Sequence, residues 1–259
     1  MANNDTIKKT VIVTVLLCFV CSVIVSTAAV LLRPLQIINQ ELDFKRNILS
    51  AVGLMEEGGD VEAIFSERVV MRAVDLRTGE FTDAVDPASY DQRVAAKDPE
   101  LSKNLSPKED VAGISRLEHY SLVYLVESQE GGLSKIVLPI RGYGLWSTLY
   151  GFIALEADAN TIAGLAFYEH GETPGLGGEV DNPRWKSQWE GKRVYDDSGA
   201  VAITVLKGSV DPSSNRIDYQ VDGLSGATLT ARGVDNLVKY WLGESGFKLF
   251  LDKLQKGEA

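Results

Sequence analysis

The segment with the clearest potential for chemistry runs from Asp222 to Thr228 and reads Asp-Gly-Leu-Ser-Gly-Ala-Thr. Its glycines permit backbone angles that other residues resist, and its hydroxyl residues, with Thr230 just beyond, are suited to capping a helix. Apolar residues at helical spacing follow over 231–242. A helix that begins here presents free backbone N–H groups and the positive end of its dipole, which together favour a phosphate. The same residues also fit a plain helix cap, and the turn alone leaves both interpretations open.

A second segment, Glu172–Gly177, reads Glu-Thr-Pro-Gly-Leu-Gly and predicts a rigid loop. Pro174 fixes one backbone angle, while Gly175 and Gly177 allow a close approach to a flat ring. Leu176 can cover one face of such a ring. A simple tight turn is the alternative interpretation.

Two aromatic residues and a lysine are further candidates for contacts with a ligand. Trp146 and Tyr143 can stack on or flank a ring, although aromatic residues between strands are more often part of a core. Lys207 can place a cation near the ring or a phosphate, or it is a solvated surface lysine. We interpret His119 and His170 as structural, because no second ligand or nucleophile is near either one in the sequence.

Three motifs follow one another along the chain: Gly142-Tyr-Gly-Leu-Trp146, His170-x-Glu-Thr-Pro-Gly-Leu-Gly177 and Asp222-x-x-Ser-Gly-Ala-Thr228. Together they resemble the FMN-binding domain family that includes NqrC of sodium-translocating NADH:quinone oxidoreductases and a paralogous subunit of Rnf electron-transport complexes. The third motif is highly specific, and the resemblance to NqrC runs nearly from end to end. In that family the final threonine carries FMN as a phosphoester, which a separate Mg-dependent flavin transferase donates from FAD.

The resemblance implies that Thr228 carries covalent FMN, with its phosphate held by backbone N–H groups at Gly226 and Ala227. Asp222 is a poor phosphate ligand because like charges repel. Its alternatives are recognition by the transferase, metal binding and proton removal during attachment, or capping of the turn. Ser225 either donates to a phosphate oxygen or caps the turn. No catalytic residue and no resident metal are expected, and the expected cofactor contacts are Thr228, Asp222, Ser225, Gly226, Ala227, Trp146, Glu172, Thr173, Gly175, Leu176 and Lys207.

The N-terminal stretch predicts a membrane anchor. Residues 10–32 contain no charged residue and are long enough to span a bilayer as a helix, which we expect to end at Arg33 and Pro34. This run is longer than the apolar core of a signal peptide, so a retained anchor is favoured over a cleaved one. Lys8 and Lys9 favour a cytoplasmic segment 1–9 and place the main domain in the periplasm of a bacterial inner membrane.

The remaining chain predicts residues 33–118 as an extracytoplasmic part with a long polar insertion, and 119–259 as the FMN-binding domain. The insertion, 83–118, is interpreted as a loop or a partner surface. Because strands dominate the middle and helices the end, the fold class is α+β, a mostly antiparallel sheet with flanking helices. Strands are predicted over 69–76, 120–127, 134–140, 149–157, 162–169 and 201–207. Helices are predicted over 40–54, 60–65, 185–188, 231–242 and 244–255.

Several classes of function are disfavoured. The net charge of -10 argues against nucleic acid. Both cysteines, Cys18 and Cys21, lie in the apolar stretch and read as small apolar residues. The sequence has no dinucleotide-binding glycine fingerprint, no P-loop and no carboxylate within 10–32, so this chain is expected to pass electrons without binding NADH or forming an ion path alone.

The expected function is a membrane-anchored electron-transfer subunit with covalent FMN, in a complex that couples NADH oxidation and quinone reduction to Na+ export. We expect a translocase subunit and an electron carrier, not a self-sufficient catalyst. Its expected partners are other subunits of the membrane complex, the flavin transferase and membrane lipid. Two alternatives stay open: the FMN-carrying subunit of an Rnf-type complex, and a non-redox anchored interaction module in which the motif is only a helix cap.

Overall fold

The structure, a computed structural model, describes residues 6–55, 58–128 and 130–259. The chain divides after Phe44 into two units, and the second extends from Lys45 to Ala259. One long helix, α1 (Ile7–Ala51), forms the first unit and contributes its last turns to the second. Among the described residues, α1 is the helix that is long and apolar enough to cross a membrane, with a mean hydropathy of 2.8 in its apolar window.

The predicted end of the anchor helix at Arg33 and Pro34 is wrong. The helix continues through Pro34 to Ala51 and includes most of the separate helix predicted over 40–54. A proline removes one backbone hydrogen bond and crowds the preceding turn, but helix-forming residues on both sides can continue the helix. Residues 35–51 contain no glycine and no second proline, and Gly53 at φ 70° provides the left-handed residue that often follows a helix end.

Five further helices are described after α1, together with short 3-10 turns at 177–181, 187–189 and 217–219. The helices are α2 (Val61–Arg68), α3 (Gln92–Ala95), α4 (Pro183–Lys186), α5 (Thr228–Trp241) and α6 (Lys248–Lys256).

The strands form one large sheet and two small ones within the described residues. They are β1 (Val69–Asp75), β2 (Glu80–Phe81), β3 (Ser102–Asn104), β4 (Arg116–Glu118), β5 (Tyr120–Glu127), β6 (Leu133–Tyr143), β7 (Thr148–Glu156), β8 (Ile162–Glu169), β9 (Thr204–Val205) and β10 (Gln220–Val221). The large sheet has the order β2-β1-β5-β6-β7-β8, with antiparallel neighbours throughout. The predicted α+β fold with a mostly antiparallel sheet is therefore confirmed.

The sheet presents an apolar face that α5 and α6 cover. Val234 and Leu237 of α5 are fully buried, as are Ile136 and Leu138 of β6. The indole N–H of Trp241 in α5 donates to the carbonyl oxygen of Arg141 in β6 at 2.7 Å, so the helix is joined to the sheet by a polar contact as well as by packing. This packing fixes the start of α5 relative to the end of β6.

The polar segment 83–118 contains regular structure instead of being one long loop. It holds α3 and the antiparallel pair β3–β4, and its last residues return to the core. Glu118 is only 2 % exposed and pairs with Arg141 of β6, while Gln92 donates to the Ser121 hydroxyl at 2.8 Å. Strand β1, which precedes this segment, pairs with β5 over seven residues, so the large sheet includes strands from both sides of residue 119.

Two predicted elements are shorter than expected. The strand predicted over 201–207 is reduced to β9, which pairs in parallel with β10 through Thr204 and Val205. Around β9 the chain is held by loop contacts, such as the hydrogen bond from the N–H of Ala202 to the oxygen of Val194. The last helix begins at Lys248 and not at Glu244, because residues 243–246 form a turn with two glycines.

Candidate functional site

Three segments meet at the N-terminus of α5. They are the loop 144–147 after β6, the loop 170–177 after β8, and the turn 222–227 that leads into the helix. A Cβ atom at Gly226 would lie only 3.1 Å from Cδ2 of Leu176, so the turn and the second loop are in contact. The three motifs of the sequence are therefore neighbours in the fold, as a shared site requires.

Thr228 is the first residue of α5 and is partly exposed. The N-cap position is Ala227, which provides no side-chain hydrogen bond to the first turn. The expectation that a hydroxyl residue caps this helix is therefore wrong: Ser225 is exposed, and the Thr230 hydroxyl binds elsewhere. A helix of 14 residues whose first N–H groups lack a side-chain acceptor attracts an anion through those groups and its dipole.

Gly226 and Gly175 supply the backbone angles that the two turns need. Their φ angles are 72° and 75°, in the left-handed region that favours glycine. No atom lies within 4 Å of a Cβ built on Gly175, so its conformation and not crowding is the constraint there. The exposed Thr173 completes this loop through its carbonyl oxygen, which accepts from Leu176 and Gly178 at 3.1 and 2.9 Å.

Glu172 lies at the centre of the junction and is only 5 % exposed. Its Oε1 atom accepts hydrogen bonds from the backbone N–H groups of Leu145, Trp146 and Ser147 at 3.0, 2.9 and 3.2 Å. Its Oε2 atom accepts from the hydroxyl of Thr230 at 2.6 Å, and Thr230 is fully buried. One carboxylate thus joins the loop 144–147 to the first turn of α5.

The pKa of Glu172 reflects two opposing effects. Burial raises the pKa, but the hydrogen bonds from Thr230 and from the three backbone N–H groups favour the ionised form and leave the pKa below its ordinary value. The carboxylate is therefore ionised at neutral pH, as four donors directed at it require.

Two glycines close around this carboxylate. A Cβ atom at Gly144 would lie 2.6 Å from Oε1 of Glu172, and one at Gly177 would lie 2.6 Å both from Oε2 and from the Thr230 hydroxyl. The sequence analysis expected Gly177 to allow a close approach to a flat ring. In the structure, the position where a side chain would begin at Gly177 is occupied by Glu172 and Thr230. Any larger residue at either position must displace the carboxylate.

Large apolar side chains are exposed on the segments that meet here, including the first turn of α5. Trp146 is 67 % exposed, Leu229 51 % and Leu176 45 %. The core interpretation of Trp146 and of the half-exposed Tyr143 is wrong, since the buried tryptophans are Trp185, Trp189 and Trp241. Trp146 is nevertheless held in place, because its backbone N–H donates to Glu172. An exposed indole on a loop that Glu172 joins to the first turn of α5 can provide an apolar surface for a ring, and the uncapped helix start can bind the anionic group of the same ligand.

Asp222 and Lys207 contact other parts of the chain near the turn. Oδ1 of Asp222 accepts from the N–H of Val210 at 2.6 Å, and the Asp222 carbonyl oxygen accepts from the Trp185 indole at 2.8 Å. Asp222 thus caps a neighbouring loop through Val210, rather than its own turn as the turn-capping interpretation expected. Lys207 is exposed, and its backbone packs so closely on Gly223 that a side chain at 223 has no space.

His170 supports the backbone next to Glu172. Its Nε2 atom lies 2.7 Å from Oδ2 of Asp181, and its Nδ1 atom accepts from the N–H of Glu172 at 3.2 Å. The Ser147 hydroxyl accepts from the N–H of Gly171 at 2.6 Å. These contacts agree with a structural role for His170. Sequence reasoning did not identify Ser147, or Thr230 as the partner of Glu172, because 58 residues separate that pair.

Comparison with known proteins places the chain among flavin-binding proteins. A family model described as FMN-binding domain matches residues 144–243, which include all three segments of the site. One relative, NqrC of the Na(+)-translocating NADH-quinone reductase of Pseudomonas aeruginosa, is 55 % identical over the full length of both chains. The protein of the same name from Yersinia pestis is 46 % identical over 98 % of this chain and 96 % of its own.

Solved structures of this type also match. The crystal structure of Shewanella oneidensis NqrC aligns with a TM-score of 0.76 and 38 % identity, covering 82 % of this chain and 96 % of that one. The crystal structure of the corresponding reductase subunit from Parabacteroides distasonis aligns with a TM-score of 0.65 and 30 % identity. It covers 85 % of this chain and 96 % of that one. Sequence and fold thus agree over most of the chain.

Proposed function

The chain belongs to the NqrC family of Na(+)-translocating NADH-quinone reductase subunits, and on that premise we propose that Thr228 carries FMN through a phosphoester bond. Membership of the family makes the chain an FMN-carrying electron-transfer subunit of this translocase, with other subunits of the complex as its partners. When bound, FMN supplies reversible electron transfer. The residues of this chain hold and orient the cofactor.

The position of Thr228 is the observation that carries the proposal. It is the first residue of a 14-residue helix whose N-cap, Ala227, has no side-chain acceptor for the first-turn N–H groups. A phosphodiester on the Thr228 hydroxyl keeps one negative charge, which the helix N-terminus favours by about 0.3–1 kcal/mol when exposed and more when partly buried. Backbone N–H groups of the first turn serve as its donors. The N–H of Ala227, which was expected among them, instead donates to the carbonyl oxygen of Leu224 at 3.1 Å.

The neighbouring hydroxyl groups fit this attachment less well. Thr230 is fully buried and its hydroxyl donates to Glu172, so an enzyme cannot reach it without opening the first turn of α5. Ser225 is exposed, but it lies three residues before the helix and outside its first turn. Thr228 alone combines partial exposure with the first position of the helix.

The exposed apolar side chains around Thr228 supply the surface for the flavin ring. Trp146 offers an aromatic face, and Leu176 and Leu229 offer aliphatic contacts. Thr173 and Gly175 shape the loop that carries Leu176, and Gly226 brings the turn against it. Lys207 is exposed, its backbone packs against Gly223 of the turn, and its side chain is the cation that we expect near the flavin or its phosphate.

Attachment requires a flavin transferase that uses FAD. In this step the Thr228 hydroxyl oxygen forms a bond to the phosphorus of the FMN half of FAD, the bond to AMP breaks, and the hydroxyl proton is lost as AMP leaves. Asp222 takes part in recognition by that enzyme, or in metal binding and proton removal during transfer. In the finished site its Oδ1 accepts from the N–H of Val210 and holds the neighbouring loop.

We place the main domain in the periplasm, with α1 in the lipid of the inner membrane. The helix is long and apolar enough to span a bilayer, and Lys8 and Lys9 precede its apolar run. This topology separates the flavin from the cytoplasmic FMN pool. A covalent bond then keeps the cofactor at a fixed position and full occupancy.

Expression with and without a flavin transferase tests the attachment. The wild-type chain is expected to give a band that fluoresces under ultraviolet light in a denaturing gel only when the transferase is present. Thr228→Ala is expected to be dark, while Ser225→Ala and Thr230→Ala stay fluorescent. A dark wild-type band despite an active transferase contradicts the covalent attachment at Thr228.

A further inference from the structure

The carboxylate of Glu172 is already satisfied by the protein itself. Its two oxygens together accept four hydrogen bonds, from three backbone N–H groups of the loop 144–147 and from Thr230. Gly144 and Gly177 pack against it so closely that neither has space for a Cβ atom. A carboxylate enclosed in this way cannot also be a direct ligand of the cofactor, which is the role the sequence predicted for Glu172.

We propose that Glu172 is a positioning residue, whose carboxylate joins the first turn of α5 to the loop 144–147 and so fixes Trp146 relative to Thr228. The proposal rests on the proposed function, because it takes Thr228 as the residue that carries the flavin. Thr230 lies two residues after Thr228 in the same helical turn, and Trp146 is the middle residue of the three that donate to Oε1. Glu172 therefore acts through Thr230 and the backbone.

The backbone that carries Glu172 is itself fixed from outside. His170 accepts from the N–H of Glu172, and the Ser147 hydroxyl accepts from the N–H of Gly171. With its main chain held at Gly171 and at its own N–H, the carboxylate transmits a fixed geometry from the loop 170–177 to its two partners. The charge matters as well as the shape, because hydrogen bonds to an ionised acceptor are about twice as strong as neutral ones.

The two oxygens of Glu172 make separate connections, and this allows each half of the link to be tested. Glu172→Gln keeps the side-chain size but removes the charge. Its amide NH2 group replaces one of the two accepting oxygens, so it faces either the backbone N–H groups of the loop 144–147 or the Thr230 hydroxyl. Thr230→Val removes only the link to α5. Thr230→Ser keeps the hydroxyl and is the matched control.

Amide hydrogen exchange of the full chain without flavin measures the link directly. Glu172→Gln is expected to raise exchange by about tenfold or more both at 145–147 and at the start of α5, measured at its first hydrogen-bonded amides from Ala231 onward, because it weakens charge-assisted hydrogen bonds. Thr230→Val is expected to raise exchange at the start of α5 but not at 145–147, and Thr230→Ser to match the wild type. Wild-type exchange at both segments in Glu172→Gln overturns the proposal, as does an equal effect of Thr230→Ser and Thr230→Val.

Visible circular dichroism of the flavin in chains loaded by a co-expressed transferase tests the effect on the cofactor. Glu172→Gln and Thr230→Val are expected to change the sign or lower the amplitude of the flavin bands severalfold, and Thr230→Ser to preserve them. Bands equal to the wild type in both variants overturn the positioning role. If Glu172→Gln does not fold, the comparison of Thr230→Val with Thr230→Ser still tests the positioning role. Failure of the wild-type chain to gain flavin contradicts the attachment at Thr228 and leaves the exchange result on the link intact.

Discussion

Gly233 of α5 lies against Tyr143 at the end of β6 so closely that a Cβ atom at 233 would be 2.5 Å from the Tyr143 carbonyl oxygen and 2.9 Å from Cα of Gly144. This contact sets how near the start of α5 comes to the loop 144–147. The distance between Thr228 and Trp146 therefore depends on a residue that has no side chain.

Gly233→Ala tests whether helix propensity or the close contact with Tyr143 has the larger effect on the free energy of unfolding, because the two predict changes of opposite sign. Helix propensity alone predicts stabilisation by about 1 kcal/mol, since alanine is a better helix former than glycine. The close contact with Tyr143 predicts the opposite, because overpacking costs about 1–3 kcal/mol. We expect a lower free energy of unfolding in urea titrations. Arg232→Ala, at an exposed neighbour, is the control and is expected to change it by less than about 0.5 kcal/mol.

The same substitution, tryptophan to phenylalanine, is expected to change the free energy of unfolding at buried Trp241 but not at exposed Trp146. Trp241 is buried and its indole N–H donates to the Arg141 carbonyl oxygen, so Trp241→Phe leaves that oxygen without its donor and the core short of volume. The expected loss is about 2–4 kcal/mol in the free energy of unfolding. Trp146→Phe, at an exposed indole, is expected to leave stability unchanged. Equal losses in thermal or urea unfolding at the two positions would contradict the packing described for α5.

The buried ion pair between Glu118 and Arg141 is expected to hold the segment 83–118 on the sheet. Glu118→Gln leaves a mostly buried guanidinium without its counter-charge, which costs about 3 kcal/mol. Glu80→Gln is the control: its pair with Lys253 is half exposed, and such pairs contribute about 0–1 kcal/mol. Limited proteolysis is expected to cut within 83–118 faster in Glu118→Gln only. Protection equal to the wild type would show that other contacts hold the segment.

The lowered pKa of Glu172 predicts that the folded chain loses stability at acidic pH. Its pKa in the folded chain lies below the ordinary value of 4.5, so below that pH the unfolded chain takes up a proton more readily than the folded chain does. The stabilisation from ionised Glu172 is therefore complete above about pH 4.5 and is lost as the pH falls through the lower folded-state pKa.

Urea titrations of the wild type and Glu172→Gln between neutral pH and pH 3 measure this effect. We expect Glu172→Gln to be about 2 kcal/mol less stable at neutral pH, with the difference shrinking as the pH falls below the ordinary range of a carboxyl group. A difference that stays constant across this range is the contrary outcome. It would mean that the charge of Glu172 contributes nothing to the four hydrogen bonds.

Much of the fold could be predicted from the sequence because the strands have strong local signals. The bounds of β5 and β8 agree with the prediction, since each is an apolar run between clear turn residues. The continuation of α1 past Pro34 could not be predicted in the same way, because proline is a local signal for a break and the burial of Ile48 and Leu49 is a tertiary effect. The elements within 83–118 were missed because α3 and β3 have only four and three residues.

The site could be located from its motifs, but its internal geometry could not. The grouping of Trp146, the 172–177 loop and the 222–228 turn followed from the family resemblance, and the structure brings these segments together. The roles of individual residues depend on contacts between distant positions. The hydroxyl of Thr230 reads as a local cap in the sequence, whereas it donates to Glu172 across the fold. The same limit applies to Asp222, whose partner Val210 lies 12 residues before it.

The most direct test of the account is the mass of the chain made with and without an active flavin transferase, followed by peptide mapping. We expect the wild-type chain to gain the mass of FMN less one water, and the modified peptide to carry it on Thr228. Thr228→Ala is expected to keep the unmodified mass. A wild-type chain without added mass, or a flavin mapped to Ser225 or Thr230, would contradict the assignment of Thr228 at the start of α5.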